Sequence, residues 1–164
     1  MNSTVKRARL LAAVCVAVLS PWGSAAAQSQ VAWTLLPVRA PITTAPFTLH
    51  VLGKIAAGWH IYSLTQPAGG PIATRINLPA GQSFLQAGVA TAATAPRRMY
   101  DDAFKMDVEL HEKSVSFRVP VRATSAANGA DSVHVNVRYQ ICNASLCYPP
   151  QIQRLVTPVQ VARK

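Results

Sequence analysis

Residues 133–141, VHVNVRYQI, indicate the fold class of this chain, because apolar and polar side chains alternate along them without interruption. A period of two places one set of side chains in a core and the other in solvent, as in a half-buried β-strand. The apolar set is Val133, Val135, Val137, Tyr139 and Ile141. A shift of one residue would expose this whole set, so the inner face of the strand is strongly specified.

Short stretches of alternating or β-branched residues recur on both sides of this strand and are separated by Pro, Gly, Asn and Asp. No long stretch has the 3.6-residue period of an amphipathic helix. A break is expected at Pro158, because proline has no N–H to donate to a strand ladder. The pattern predicts an all-β fold, a β-sandwich, with strands at residues 31–38, 47–55, 60–64, 76–78, 83–90, 106–111, 114–123, 133–142 and 151–161.

Two connections are predicted from turn chemistry. Glu112 and Lys113 separate two predicted strands and suggest a tight hairpin turn between them. Residues 124–130 are small and polar, with an Asn-Gly pair, and suggest a mobile loop inside the domain.

The N-terminus has the layout of a cleavable secretory signal. Three cations precede an apolar run at residues 10–19, which is followed by Pro21 and by small residues up to Ala27. The run is about half as long as a membrane-spanning helix. We therefore expect residues 1–27 to be removed together with Cys15, and residues 28–164 to form one exported domain.

The mature domain stays basic, since loss of the three cations of the signal lowers the net charge only from +10 to +7. Its cations are mostly scattered singly and form no basic cluster or recognition helix, which argues against nucleic-acid binding. No later segment is apolar enough to span a membrane, so no membrane span is expected after cleavage.

Cys142 and Cys147 are the two cysteines that remain, and in an oxidising compartment we expect them to pair. A bridge between them closes a short loop, which contributes about 2–3 kcal/mol at most in the loop-entropy model. A loop at the end of a sheet also leaves a sulfur accessible to an attacking thiolate. Spacing alone leaves both a structural and an exchangeable disulfide open and favours the structural one.

The residues around this pair carry a resemblance to a known family. The stretch 139–150, YQICNASLCYPP, resembles the N-terminal periplasmic domain of the thiol:disulfide interchange protein DsbD and its ScsB-like relatives. Residues 58–63, GWHIYS, resemble the aromatic strand of that family, and residues 100–104, YDDAF, resemble its cap loop. The three segments occur in the same order as in the family, and the resemblance as a whole extends over most of the mature chain.

This resemblance implies an immunoglobulin-like sandwich whose cysteines relay reducing equivalents from a membrane-embedded thiol electron carrier to periplasmic thioredoxin-like proteins. The chain would then be the electron-relay component of a protein-disulfide reductase and would need no cofactor. By position, Cys147 is the sulfur that partners attack and Cys142 the one that resolves the mixed disulfide. Because the family's membrane helices and thioredoxin-like domain do not follow in this sequence, the electron source is expected to be a separate protein.

The resemblance also implies roles for five neighbours of the cysteines. Phe104 matches the aromatic cap residue, although a phenylalanine by itself usually packs in a core. Asp102 matches an acidic position near the thiols, where a carboxylate raises a thiol pKa or takes a proton, although by itself it would be a solvated loop aspartate. The remaining site-lining residues are His60, Tyr62 and Tyr148.

Two positions, one of these five and one further residue of the cap-loop segment, depart from the family pattern. His60 stands where an aromatic residue is expected and adds a group that titrates near neutral pH, or else an exposed neighbour with no role. Ala103 stands where well-known members carry an acidic residue, which leaves proton handling there open.

Two other functions are compatible with the residues. One is a structural or interaction domain with an inert disulfide. The other is a copper-binding module, since soft thiolate and thioether ligands select Cu(I). Its candidate ligands are Cys142, Cys147, a histidine such as His60 or His111, and Met99 or Met106.

Overall fold

A computed structural model describes residues 29–38, 42–43, 45–125 and 127–162. The predicted signal peptide, residues 1–27, lies outside the described residues. Within the described ranges the chain forms strands and no helix, and hence no helix that could cross a membrane. The strands are β1 (Val31–Leu35), β2 (Phe47–Ile55), β3 (His60–Tyr62), β4 (Arg75–Asn77), β5 (Phe84–Gln86), β6 (Thr91–Ala92), β7 (Arg97–Asp101), β8 (Met106–Glu112), β9 (Ser114–Ala123), β10 (Gly129–Tyr139), β11 (Ile141–Cys142) and β12 (Gln151–Val161).

These strands form three antiparallel sheets. In the first, β9 pairs with β2 along one edge and with β5 and β6 along the other, and β1 pairs with β2. The second has the order β12-β10-β4 and the third the order β11-β3-β8-β7. Only Gln140 separates β10 of the second sheet from β11 of the third, so the chain passes directly from one of these sheets into the other. The fold is an immunoglobulin-like β-sandwich, as the sequence predicts.

One hydrophobic core contains side chains from all three sheets, and the strand at residues 133–141 supplies much of it. Val133, Val135 and Val137 are fully buried and belong to the same cluster as Leu49 and Val119 of the first sheet. Burial of one such side chain contributes about 1.5–3 kcal/mol relative to exposure. The alternation in the sequence therefore reports the real division between core and surface.

The long strands β10 and β12 differ from prediction in one respect each. β10 begins at Gly129, so the last two residues of the predicted loop belong to the strand. β12 continues through Pro158, which lies opposite Ser132 in an unbroken ladder, so the expected break is wrong. A proline is tolerated there because β12 is the outermost strand of its sheet, where an N–H need not pair.

The predicted hairpin at Glu112 and Lys113 is also wrong, although the sharp turn is present. Lys113 has a positive φ of 62°, and β8 ends directly before it while β9 begins directly after it. The two strands nevertheless belong to different sheets, β8 pairing with β3 and β7 and β9 pairing with β2, β5 and β6. The turn thus carries the chain from one sheet to another, because β9 pairs with β2, β5 and β6 and not with β8.

Strand β7 was missed by the sequence pattern. Its residues Arg97–Met99 and Tyr100 are exposed, so no alternation of apolar and polar residues marks it. It is an edge strand of the third sheet and includes the first two residues of the predicted cap-loop segment 100–104. The loop itself spans residues 102–105, and we call it the cap loop.

Candidate functional site

The two cysteines form a disulfide at the end of the third sheet. Cys142 is the last residue of β11, its Cα atom lies 4.1 Å from that of Cys147, and the S–S distance is 2.00 Å. Asn143 shapes the connection between them: its side-chain Oδ1 accepts hydrogen bonds from the N–H groups of Ser145 and Leu146, at 2.9 and 2.8 Å. Asparagine is suited to this position, because its short side chain closes a turn on the backbone two or three residues ahead.

The arm of the loop that follows Cys147 is held by Tyr148. Its N–H donates to the carbonyl oxygen of Ile141 at 3.0 Å, and its carbonyl oxygen accepts from the side chain of Gln140 at 3.2 Å. The Tyr148 ring stacks on Trp59, with centroids 5.4 Å apart and planes 15° from parallel. Tyr148 therefore fixes the position of Cys147 relative to the strands, whereas its ring contacts Trp59 and not the buried cysteine.

The two sulfur-bearing residues differ sharply in exposure. Cys142 is 1% exposed, and Cys147 lies in a run of exposed residues. Thiol–disulfide exchange requires that the attacking thiolate reach one sulfur of the disulfide. The geometry leaves Cys147 accessible to a partner and protects Cys142.

A second, smaller hydrophobic cluster surrounds Cys142. It consists of Tyr62, Val108, Leu110 and Cys142, all about 1% exposed, with the partly buried Phe104 and Met106 packed against them. Strand register explains this composition, since Cys142 lies opposite His60 on β3, and Tyr62 follows two residues later on the same face. We call this set the thiol cluster.

The loop at residues 102–105 covers one side of the thiol cluster. The Phe104 ring meets Tyr62 edge to face, with centroids 6.0 Å apart, a favoured aromatic arrangement. The loop closes through the N–H of Lys105, which donates to the carbonyl oxygen of Asp101 at 2.7 Å, and Lys105 adopts a positive φ of 55°. Phe104 thus lies between solvent and the cluster that contains Cys142.

The carboxylate that joins this loop to the site belongs to Asp101, which the sequence did not single out. Its Oδ1 accepts from the N–H groups of Ala103 and Phe104, at 2.9 and 3.3 Å. Its Oδ2 accepts from the Tyr62 hydroxyl at 2.9 Å. The Asp101 side chain therefore connects the backbone of the cap loop to Tyr62 in the thiol cluster.

Asp102, the acidic residue chosen from the sequence, points the other way. Its side chain is 92% exposed and lies 3.8 Å from the ammonium of Lys105. The two aspartates are adjacent, and strand pairing explains which of them faces the site: Asp101 is the last residue of β7 and lies opposite Met106 of the thiol cluster.

Burial perturbs the two titratable groups of β3. It raises the pKa of Tyr62 well above its usual range, and the hydrogen bond to the Asp101 carboxylate adds to this effect. It lowers the pKa of His60, against the opposing charges of Asp101 and Glu112. Tyr62 is therefore a hydrogen-bond donor and His60 a neutral imidazole near pH 7.

His111, a candidate copper ligand, lies on the other side of the sheet. It pairs with Ile61, whereas His60 pairs with Glu112, so the two histidines face opposite ways. His111 is 2% exposed and packs against Phe117 in the main core. Within the described ranges, no group of three or more His, Cys, Asp and Glu side chains is arranged to hold a metal ion.

Comparisons with known proteins bear on both the fold and the cysteine site. The solved Neisseria meningitidis DsbD N-terminal domain, in its reduced form, is 15% identical with a TM-score of 0.49, over 71% of this chain and 79% of that one. The N-terminal periplasmic domain of ScsB from Proteus mirabilis is also 15% identical with a TM-score of 0.49, over 80% of this chain and 45% of that one. AggA, the major subunit of an Escherichia coli fimbria, is 13% identical with a TM-score of 0.40, over 80% of this chain and 94% of that one.

No curated protein matches the sequence significantly. A family model does: that of the thiol:disulfide interchange protein DsbD, N-terminal, which matches residues 29–158. That range includes the cysteine loop, the aromatic strand and the cap loop. Together with the disulfide, the match indicates thiol:disulfide exchange chemistry. The chain belongs to the family of the DsbD N-terminal domain.

Proposed function

We propose that this chain relays reducing equivalents in the periplasm, taking them from a membrane-embedded thiol electron carrier and passing them to thioredoxin-like proteins through the Cys142–Cys147 disulfide. The observation that carries the proposal is the unequal exposure of the pair. Cys147 is accessible and Cys142 is 1% exposed within the thiol cluster, which suits one sulfur to meet partners and the other to resolve the mixed disulfide.

Delivery of electrons takes two steps. In the reduced domain, the Cys147 thiolate attacks one sulfur of a partner disulfide, and the other partner sulfur leaves as a thiolate. Cys142 then attacks Cys147, re-forms the internal disulfide and releases the second partner sulfur. The domain is oxidised and the partner reduced, by two electrons and two protons.

Recharging runs the same steps backwards. A thiolate of the carrier attacks Cys147 in the oxidised domain, and the Cys142 sulfur leaves into the thiol cluster. A second thiolate of the carrier then attacks the carrier sulfur that is bonded to Cys147. This forms a disulfide within the carrier and releases Cys147 as a thiolate. The carrier is oxidised and the domain reduced.

The cap loop supports selectivity in this scheme. Phe104 packs on Tyr62 and covers the cluster around Cys142, so a small oxidant meets a shielded Cys142. A thioredoxin-like partner that binds against residues 102–105 would displace the phenylalanine as it docks. Asp102, whose side chain is exposed on the same loop, is placed to contact such a partner and not the buried thiol.

Trapping of the mixed disulfide tests this proposal. A Cys142→Ser variant keeps the accessible sulfur and lacks the resolving one, so it should accumulate a mixed disulfide with a periplasmic thioredoxin-like protein. The matched control is Cys147→Ser, which keeps only the buried sulfur and should trap little. Absence of any adduct with Cys142→Ser would refute the relay.

The reduction potential of the pair separates the relay from the two other functions. A relay needs a potential near those of its partners, whereas a value below about −300 mV indicates a structural bridge. Tight stoichiometric copper binding by the reduced protein, lost in Cys142→Ser, would instead favour the metal-binding module.

We also propose that the mature domain begins at Gln28, after export and removal of residues 1–27. The intact mass of the protein recovered from the periplasm tests this directly. A mass that retains the first 27 residues would contradict cleavage.

A further inference from the structure

His60 is a titratable residue of the site that takes no part in the exchange steps described above. It lies directly opposite Cys142 in the antiparallel pairing of β3 and β11, and its ring meets Tyr62 edge to face at 5.2 Å. Directly opposite residues of an antiparallel pair place their Cβ atoms about 4.5–5.5 Å apart on the same face of the sheet. The imidazole and the Cys142 thiol are therefore cross-strand neighbours.

The imidazole also has a buried nitrogen without a hydrogen-bond partner. Nε2 of His60 is shielded from solvent, and in the part of the chain that the structure describes no group bonds to it. A neutral imidazole carries one ring nitrogen that accepts protons. A buried polar atom without a hydrogen bond destabilises the folded state, so its presence needs an explanation such as a role in catalysis.

The resolving step of the proposed exchange needs a proton acceptor at this place. Cys142 is buried among apolar side chains, and burial disfavours a thiolate. Among the described residues, Asp101 is the carboxylate that reaches the thiol cluster, and it already accepts hydrogen bonds from the Tyr62 hydroxyl and two backbone N–H groups of the cap loop. Glu112, opposite His60 on its other side, is paired with Arg97 at 3.1 Å.

We propose that His60 accepts the proton of the Cys142 thiol as Cys142 attacks the mixed disulfide on Cys147. This inference rests on the proposed exchange function and assigns its proton transfer. The S–H bond of Cys142 breaks and its proton moves to the imidazole. The sulfur electron pair forms the new bond to Cys147, and the partner sulfur leaves with the electrons of the broken S–S bond. The imidazolium then returns its proton to the leaving thiolate or to water.

The charges around His60 are compatible with this role. Cys142 faces it from β11, Tyr62 from β3, Glu112 with its partner Arg97 from β8 and β7, and Asp101 from the end of β7. Burial lowers the pKa of His60 and so keeps the ring neutral at pH 7. The carboxylates of Asp101 and Glu112 act in the opposite direction and stabilise the imidazolium while it exists.

The experiment follows the two cysteines separately in the reduced protein. Excess dithiodipyridine reacts first with the accessible Cys147, and Cys142 then displaces the second thiopyridone in an intramolecular step. The rate of that second step is independent of reagent concentration, and Cys142→Ser should lack it. The rate is measured between pH 6 and pH 9 in the wild type, in His60→Phe, which keeps an aromatic ring against Tyr62, and in His60→Gln.

With a base at position 60, the second rate should be nearly constant from pH 7 to pH 9, because the imidazole is neutral throughout. Without it, the rate should follow the thiolate fraction of Cys142, which falls about tenfold per pH unit below the thiol pKa. Both variants should thus be at least about tenfold slower than the wild type at pH 7, and the difference should narrow as the pH rises toward 9. General-base catalysis commonly contributes about 10²–10⁴-fold.

A packing role for His60 would slow the second step equally at every pH, and parallel profiles of wild type and variants would overturn the inference. A wild-type rate that rises about tenfold per pH unit would overturn it as well. Because no protein partner is present, these outcomes are independent of the relay. If Cys142→Ser fails to trap a thioredoxin-like protein, the relay is refuted. The result on proton transfer to His60 still stands, because it is obtained without a protein partner.

Discussion

Replacement of Tyr62 by phenylalanine tests how the cap loop is kept closed. The ring of residue 62 would keep its place against Phe104, but the carboxylate of Asp101 would lose the hydroxyl that donates to Oδ2 at 2.9 Å. That carboxylate also holds the N–H groups of Ala103 and Phe104 through Oδ1. The variant therefore removes one atom from a chain of hydrogen bonds that joins the loop to the sheet.

The magnitude follows from the kind of hydrogen bond removed. A hydrogen bond to a charged group contributes about 1.5–3 kcal/mol, and we take the lower end because Asp101 is only partly buried and can be rehydrated. Since about 1.4 kcal/mol corresponds to a factor of ten, the open form of the loop should become about tenfold more populated. The reaction of the reduced Cys142 with an alkylating reagent should accelerate by the same factor where loop opening limits access.

The assay is the alkylation rate of Cys142 in a Cys147→Ser background, followed by mass spectrometry at fixed pH. The matched control is Tyr100→Phe, which removes the hydroxyl of a tyrosine that is 53% exposed on neighbouring strand β7. An acceleration below twofold in Tyr62→Phe, or an equal one in Tyr100→Phe, would show that Asp101 does not hold the loop closed through Tyr62.

Three further predictions concern the cap and the core. Phe104→Ala should expose the thiol cluster and accelerate alkylation of Cys142 at least as much as Tyr62→Phe does. Because the Phe104 ring is only half-buried, its loss should lower the unfolding free energy measured by urea titration by only about 1–2 kcal/mol. An unchanged alkylation rate would mean that the ring does not shield the thiol. Leu49→Ala should destabilise the protein by about 2–5 kcal/mol because Leu49 is fully buried, whereas Leu85→Ala at a 45% exposed position should cost less than 1 kcal/mol; similar losses at the two sites would contradict the assigned core. Burial lowers the pKa of His111, so the unfolded chain binds a proton more readily and stability should fall as the pH drops below about 6.5, through the lowered pKa of the folded state. His111→Phe should weaken this pH dependence in thermal melts at pH 5 and pH 7, and an unchanged slope would refute that assignment.

Much of the fold is readable from local patterns. The alternation of residues 133–141 predicts a half-buried strand, and β10 buries Val133, Val135 and Val137 as expected. Strands β2, β9 and β12 have the predicted bounds, because their inner faces alternate as well. The edge strand β7 has no such pattern, since its side chains lie in solvent on both faces and leave no periodic signal.

The candidate site was only partly predictable for a similar reason. The cysteine pair and Phe104 stand out in the sequence through their resemblance to the family, and the structure places Cys142 and Phe104 in one cluster. The choice between Asp101 and Asp102 could not be made from the sequence, because the two are adjacent and equally acidic. Only the pairing of β7 with β8 decides which one turns toward Tyr62, a residue 39 positions away.

The sequence by itself determined the all-β class, the inner faces of the long strands and the presence of a cysteine pair in a tight loop, since each depends on residues a few positions apart. Tertiary structure alone decided that β8 and β9 lie in different sheets, that Cys142 is buried while Cys147 is exposed, and that His60 lies opposite Cys142. These features depend on register between strands that are distant in the chain. Register is selected by the free energy of closing a common core, which no local stretch of sequence contains.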